Sequence, residues 1–275
     1  MNYSILFISF LLLTFSCSDK NYRNSNIAEK SQTDTISVEY YNNNHARIKE
    51  IKLRNGTIEK FYNNGNLFLR GQLDKGNQRI GKWNYYTKDG KLSETREYYV
   101  IDKRPYLNQN IYFSKDDEYW TTIKDDNFNV YDQKEFYGDT LYHNISYFAE
   151  FDLGKDTINI NEPWRAVCYY YTPVFKDKNS EAIVVMGRTE HNYNKDFSNI
   201  QEIKTDTFYS LQKNVKNQRY FPDDDPNYTV VFGKWFKTPG KKILRGYLSE
   251  NYKDNTDGYK EKRIFFEKSI YVKDN

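Results

Sequence analysis

The sequence is poor in the residues that build most catalytic and metal centres. Its 275 residues include two cysteines, Cys17 and Cys168, and three histidines, His45, His143 and His191. None is spaced as in a His-x-x-x-His or Cys-x-x-Cys motif, so no zinc site is predicted. The Gly-x-Ser-x-Gly, Gly-x-Gly-x-x-Gly and Walker motifs are also missing. We therefore expect no catalytic residue, no metal, no cofactor and no enzymatic activity.

The chain also lacks a long run of one charge. It carries 41 basic and 38 acidic residues, which gives a net charge of +3, and the two signs are interspersed. A nucleic-acid-binding domain presents its basic residues as a patch or stripe, because they must follow the phosphate backbone. The charge pattern therefore indicates no nucleic acid as a partner.

The longest apolar segment is too short to cross a bilayer. Residues 5–15 are almost all apolar, but a membrane-spanning helix needs about 20 such residues. The segment fits the hydrophobic part of a signal peptide. Its end, Ser16-Cys17, resembles the lipoprotein signals of Bacteroidota, although Thr14 stands where Leu is usual and no Lys or Arg precedes the apolar segment. A secreted chain with a coincidental Cys17 is the alternative.

The lipoprotein resemblance implies a location and a membrane partner. It makes residues 1–16 a signal peptide, Cys17 the lipidated (palmitate-bearing) first residue of the mature chain, and residues 17–35 a polar tether. Two or more acyl chains hold an otherwise soluble body at a membrane. We therefore expect a cell-envelope protein anchored to the outer membrane, on its periplasmic or surface face. Cys168, left without a disulfide partner, is expected to be a small buried hydrophobe.

Three short triplets resemble the Asp-Thr-aliphatic sequon that Bacteroidota use for O-glycosylation. They begin at Asp34, Asp139 and Asp156. Such triplets also arise by chance in strands that contain Asp and Thr. The intact mass of the protein from its native host decides between the two explanations.

Aromatic residues are what the chain has in abundance. The 27 Tyr and 18 Phe bury large areas and favour strands over helices. No segment keeps a 3.6-residue apolar period, so we predict an all-β fold with little helix. The one helical spacing, Phe197, Ile200 and Ile203, favours a short helical segment over residues 194–203.

Residues 55–99 contain an internal repeat. In each copy an aromatic residue precedes a turn glycine by four positions and a leucine follows it by two, with 25 residues between the copies: Phe61-Gly65-Leu67 and Tyr86-Gly90-Leu92. Asn-Gly and Asp-Gly between aromatic runs are strong hairpin signals. A period of this length indicates stacked supersecondary units, each too small to bury its own apolar face.

The second copy resembles a known repeat family. The segments Gly81-Lys82-Trp83, Tyr85-Tyr86 and Gly90-Lys91-Leu92 are similar to the bacterial, antitoxin-like variant of MORN-type repeats, with the resemblance covering about residues 48–99. It implies a ribbon of hairpins that serves as a scaffold or contact surface without a catalytic residue. An ordinary β-meander with repetitive turns is the alternative.

A second β region is predicted after the repeat region, which we place at residues 36–147. From residue 148 to residue 275, strand-like runs recur at the intervals of an antiparallel β-sandwich. A Pro239-Gly240 turn followed by alternating residues resembles a generic Ig-like sandwich. We expect three aromatic residues to pack in or beside its core: Phe232, Trp235 and Phe236.

The predicted function follows from the anchor, the repeat and the missing catalytic motifs. We expect a non-enzymatic envelope lipoprotein that acts as a scaffold or binding module for a glycan or protein ligand. Rows of aromatic residues suit such a ligand, and Trp83, Tyr85 and Trp120 are the candidates; the alternative is that these rings form the core. Two other functions remain open: an immunity or antitoxin-type protein that neutralises a partner toxin, and a glycan-acting hydrolase with dispersed carboxylates.

Overall fold

A computed structural model describes most of the chain. It covers residues 34–42, 45–101, 103–114, 132–137, 139–142, 146, 148–188, 191–254 and 258–274. The predicted leader, nearly all of the tether, and the residues Cys17, Trp120 and His143 lie outside the described residues.

The first part of the chain is a meander. Seven consecutive strands pair antiparallel, each with the next, and their bounds are β1 Thr35–Tyr40, β2 Ile48–Leu53, β3 Thr57–Phe61, β4 Leu67–Leu73, β5 Arg79–Tyr86, β6 Leu92–Ile101 and β7 Arg104–Ser114. The same sheet continues through β8 (Asp132–Tyr137), which is parallel to β7, and β9 (Thr140–Leu141). Glycines with positive φ, such as Gly65 and Gly90, close the tight turns of the repeat.

The second part contains two further sheets. The three-stranded sheet has the order β10-β12-β15, with β10 Ala149–Asp152, β12 Trp164–Tyr170 and β15 Thr229–Lys234. The five-stranded sheet has the order β11-β17-β16-β13-β14, with β11 Thr157–Asn159, β13 Glu181–Gly187, β14 Thr205–Tyr209, β16 Gly240–Asp254 and β17 Gly258–Lys273. These C-terminal sheets include a curled half-barrel, and a bridge between Ser210 and Val230 joins them at one edge.

The all-β prediction is confirmed, and the predicted helix over residues 194–203 is wrong. In the described residues, helix is confined to a 3-10 turn at Lys176–Lys178 and to α1 at Val215–Gln218. Residues 194–203 form turns, because Phe197 has a φ of 51°, which ends any right-handed helix. The three residues at helical spacing, Phe197, Ile200 and Ile203, nevertheless share one environment, because they all pack into the same aromatic cluster.

The main core lies between the two C-terminal sheets. Along β12 the buried residues Trp164, Ala166, Cys168 and Tyr170 alternate with Arg165 and other outward residues, which is the period of two that a half-buried strand requires. They meet a buried apolar face of the five-stranded sheet, whose members include Val184, Met186, Leu244, Leu248, Ile264 and Phe266. Cys168 is buried, as expected for a small hydrophobe.

The five-stranded sheet is buried on its other face as well. There Val185, Tyr247 and Phe265 form a second cluster with Phe197 and with aromatic residues of the meander. Tyr106 from β7 packs edge-on against Phe265 at 5.2 Å between ring centroids. Because both faces are covered, β13 and β17 are apolar at consecutive positions and lose the simple alternation of β12.

Asn108 fastens the meander to this second cluster. Its side chain is 2% exposed, and it pairs with the backbone of Phe265 as a neighbouring strand would: Asn108 Nδ2 donates to the Phe265 carbonyl at 2.9 Å, and the Phe265 N–H donates to Asn108 Oδ1 at 2.7 Å. The Tyr106 hydroxyl also donates to the Arg263 carbonyl at 2.7 Å. Strand β11 covers β17 only at residues 271–273, so the backbone groups of Phe265 on that side need another partner. These bonds therefore fix where β7 meets β17.

Glu250 joins the two C-terminal sheets from within the core. Its carboxylate is fully buried and accepts four hydrogen bonds, from the Tyr170 hydroxyl (2.7 Å), the Val174 N–H (2.9 Å), the Phe175 N–H (2.7 Å) and the Ser180 hydroxyl (2.8 Å). Lys262, also buried, lies directly across from Glu250 on β17. Tyr170 belongs to the three-stranded sheet and Glu250 to the five-stranded sheet, so this carboxylate sets their relative position.

We expect the Glu250→Gln variant to lose about 3 kcal/mol of unfolding free energy, the scale of breaking a buried charged network. Each carboxylate oxygen of Glu250 accepts a bond from one backbone N–H, that of Val174 or that of Phe175. Whichever oxygen the Gln NH₂ group replaces, one of these N–H groups loses its acceptor. Urea denaturation measures the loss. The control is Glu39→Gln, which removes an exposed pair with Lys49 and should leave the unfolding free energy nearly unchanged, because water and salt screen such a pair. Equal effects of the two variants would show that Glu250 does not hold the sheets.

Candidate functional site

Trp83 and Tyr85, the candidate binding residues of the repeat, lie in the small core of the meander. Trp83 is only 2% exposed, and Tyr85 is half-buried beside it. Arginines cover both rings: the Arg79 guanidinium lies 4.7 Å from the Trp83 ring centroid, and that of Arg96 lies 4.8 Å from the Tyr85 ring centroid. The burial of Trp83 agrees with the alternative interpretation of these rings, in which they form the repeat unit's own small core.

A glycine makes the burial of Trp83 possible. Gly71, in the middle of β4, lies against the indole, and a Cβ on Gly71 would come within 2.1 Å of Trp83 Cδ2. Gly71 is therefore a packing residue within a strand. The meander takes its apolar contact from Trp83, Ile58 and Leu69, with half-buried neighbours around them.

The most exposed aromatic residues lie on the C-terminal part of the chain. Trp235 was expected to pack in or beside the core with Phe232 and Phe236. The two phenylalanines are buried, whereas Trp235 is 60% exposed. The reason is local: Trp235 and Phe236 follow β15 directly, and successive residues of an extended chain point to opposite sides. Tyr220, 64% exposed, lies in the segment that follows α1.

Trp235 and Tyr220 line the same cavity, which we call the outer groove. It encloses about 930 Å³, within the size range of small-molecule sites. Strands β12 and β15 contribute the outward residues Arg165, Val167 and Val231. Residues around α1 contribute a further part of the lining: Asn214, Lys216, Asn217, Arg219, Tyr220 and Phe221.

Pairing of β12 with β15 shapes this lining. Arg165 lies opposite Gly233 in the antiparallel register, and Val167 lies opposite Val231. A Cβ on Gly233 would come within 2.5 Å of the Trp164 carbonyl oxygen. Gly233 is therefore required by the close approach of the β12 and β15 backbones beside Arg165.

The outer groove carries unbalanced positive charge. Arg165, Lys216 and Arg219 are exposed cations, whereas Asp152 is the only carboxylate among the lining residues. Within the part of the chain that the structure describes, none of the three cations forms an ion pair with a carboxylate. Lys234 also lines the groove, but its ammonium donates to the carbonyls of Gly187 and His191 at 2.7 and 3.0 Å.

Two stacked tyrosines extend the aromatic surface along β12. Tyr169 and Tyr171 lie 6.0 Å apart between ring centroids with their planes 15° apart, and Tyr171 is 50% exposed. Partial burial raises the pKa of both phenols, with the neighbouring carboxylates Glu150 and Asp224 adding to the shift. Both hydroxyls therefore stay protonated at neutral pH and remain hydrogen-bond donors.

A second cavity lies where the meander meets the C-terminal part. It encloses about 850 Å³, and its lining comes from β4 to β6 and from the loop around Asp196, with charged residues of both signs: Asp74, Glu97, Lys103, Lys195, Asp196 and Glu267. These charges are largely engaged within the fold, since Glu97 accepts from Asn108 and Glu267 from Arg245. Burial raises the pKa of Tyr99, and the Glu97 carboxylate adds to the shift.

Comparison with known proteins yields no relative. No protein-family model matches the chain, and neither a curated protein nor a solved structure resembles it significantly. Among the described residues no helix is long and apolar enough to cross a membrane. Over the same residues there is no group of three or more His, Cys, Asp or Glu side chains that could hold a metal ion.

We expect the Gly71→Ala variant to lose about 1–3 kcal/mol of unfolding free energy, because the added methyl group must displace the Trp83 indole. Urea denaturation followed by tryptophan fluorescence measures this loss. The matched control is Gly76→Ala in the next turn, where the new Cβ meets only an Asp74 carboxylate oxygen at 3.3 Å. If both variants are equally stable, the ring does not depend on the glycine.

Proposed function

We propose that this protein is a non-enzymatic binding module that takes a carbohydrate in the outer groove. The observation that carries the proposal is the pair of exposed rings, Trp235 and Tyr220, lining one cavity. Burying a large aromatic side chain is strongly favourable, so a tryptophan left mostly in water is available for a ligand. An indole face suits the C–H face of a sugar ring, since the negative face of the π-system attracts those hydrogens.

The polar lining of the outer groove fits the hydroxyl groups of a sugar. The amides of Asn214 and Asn217 can both donate and accept hydrogen bonds, and the Arg165 guanidinium is a donor. A sugar hydroxyl also donates and accepts, so such a lining can satisfy it on both counts. The stacked pair Tyr169 and Tyr171 gives further aromatic surface along β12 for a ligand longer than one sugar unit.

The cell-envelope setting is part of the same proposal. A lipid on Cys17 would anchor the chain to the outer membrane, and residues 17–35 would carry the β-sheets away from the bilayer. The likeness of residues 48–99 to the antitoxin-like MORN-type repeats supports a scaffold role for the meander. The C-terminal region, similar to a generic Ig-like sandwich, would then present the ligand-binding face.

Replacing Trp235 by alanine is expected to weaken saccharide binding by about tenfold or more, as truncation of a central aromatic contact does. A glycan array with neutral and acidic oligosaccharides identifies the ligand, and titration calorimetry on the purified protein measures the affinity. The matched control is Tyr271→Ala, which removes a 53% exposed ring that does not line the groove. Unchanged affinity in Trp235→Ala, or no saccharide bound by the parent protein, would contradict the proposal.

The Cys17→Ala variant tests the anchor. We expect the parent protein to fractionate with membranes and to carry acyl chains on Cys17 by mass spectrometry, and the variant to lose both properties because the thiol is the site of acylation. Protease treatment of intact cells in the same experiment shows which membrane face carries the protein. An unmodified Cys17 in the mature chain would overturn the anchor while leaving the groove as a binding site.

A further inference from the structure

The charges of the outer groove define its ligand more narrowly than its aromatic rings do. We infer that the outer groove is specific for an anionic saccharide, one that bears carboxylate or sulfate groups. This inference rests on the carbohydrate-binding function proposed above. Its own basis is the excess of three exposed cations over one carboxylate in the lining. The chain as a whole is close to balanced, with 41 basic and 38 acidic residues, so this local excess is a property of the site.

The three cations can act on a ligand because the fold does not use them in ion pairs. Arg165, Lys216 and Arg219 have no carboxylate partner among the described residues. Many exposed cations elsewhere are paired: Lys49 with Glu39 at 2.6 Å, and Arg188 with Asp206 at 2.7 Å. Unpaired charges that converge on one cavity repel each other, and an anion in that cavity relieves this repulsion.

The position of each cation gives the ligand two kinds of contact. Arg165 is held on strand β12, opposite Gly233 of β15. The Arg219 guanidinium lies 4.7 Å from the ring centroid of Tyr220, and its Nη2 donates to the tyrosine hydroxyl at 2.6 Å. A guanidinium held at a ring through one of its N–H groups keeps its other donors for a carboxylate or sulfate. Arg219 therefore offers a cation for the ligand's anionic group directly beside the aromatic ring of Tyr220.

The distribution of charge on this face also favours one orientation of the bound saccharide along β12. The carboxylates Glu150 and Asp224 lie near Tyr169 and Tyr171, further along β12 than the lining residue Arg165. An anionic group is therefore favoured at the Arg165 end and disfavoured at the Tyr171 end. A chain that followed the whole strand would place its charged sugar between Arg165 and Arg219 and a neutral sugar on the tyrosine pair.

The test compares an acidic saccharide with its neutral ester and with two other anionic polymers. Oligogalacturonate, its methyl-esterified neutral form, a sulfated oligosaccharide and a single-stranded oligonucleotide are titrated into the full protein at low and at raised salt. We expect an acidic saccharide to bind about tenfold or more tightly than the neutral ester, with the preference falling as salt screens the charges. The oligogalacturonate and sulfated arms show which anionic group the groove prefers.

Charge-removing variants localise the effect. The triple variant Arg165→Gln, Lys216→Gln, Arg219→Gln should lose about tenfold in affinity for the acidic saccharide and much less for the neutral ester, so that the preference for the acid disappears. The control variant Lys75→Gln, Lys82→Gln, Lys241→Gln removes three exposed cations that do not line the groove. Its affinity should equal that of the parent protein.

Other outcomes distinguish a failure of the anionic specificity from a failure of carbohydrate binding itself. Equal, salt-independent binding of acidic and neutral saccharides that is lost in Trp235→Ala would overturn the anionic specificity and leave the carbohydrate site standing. Binding of the oligonucleotide alone, at the same cations, would overturn both statements. No binding of any saccharide would also overturn both.

Discussion

The buried carboxylate of Glu250 is the constraint on which the ligand-binding face depends. Its four hydrogen bonds hold Tyr170 on one sheet and the segment from Val174 to Ser180 beside the other. Tyr170 points into the core, so the alternate residues of the same strand, Arg165 among them, must point outward into the groove. Removing a buried, satisfied charge is costly, because its partners are left without acceptors in a low-dielectric interior. The hydrogen bonds of Glu250 in the core thus determine which residues of β12 face the outer groove.

The second requirement is that the meander and the C-terminal sheets act as one body. Asn108 serves as a strand partner for Phe265, and the rings around Phe265 exclude water from that contact. A meander alone buries little, because its core is limited to Trp83 and a few neighbours. Contact with the five-stranded sheet supplies the burial that the meander lacks. The repeat region is therefore a scaffold whose last strands are built into the core of the rest of the molecule.

Sequence reasoning reached the all-β fold class and the hairpins of the repeat region, because aromatic alternation and Asn-Gly turns are local signals. It failed where burial depends on distant partners. Trp83 looked like a surface ring until Gly71 and Arg79 were seen to enclose it. Trp235 looked like a core ring, yet only one of the adjacent pair Trp235 and Phe236 can face inward. Asn108 gave no sequence signal, since its partner Phe265 lies 157 residues away. The groove itself joins β12, β15 and α1, and no local pattern predicts that convergence.

The most direct test of this account is an NMR titration of the tryptophan indole N–H signals with an acidic oligosaccharide. Trp235 lines the groove and is exposed, whereas Trp83 and Trp164 are buried in two different cores. A Trp235→Phe variant assigns the relevant signal. The account predicts a saturable shift of the Trp235 signal while those of Trp83 and Trp164 stay in place. An acidic saccharide that binds without moving the Trp235 signal would contradict it.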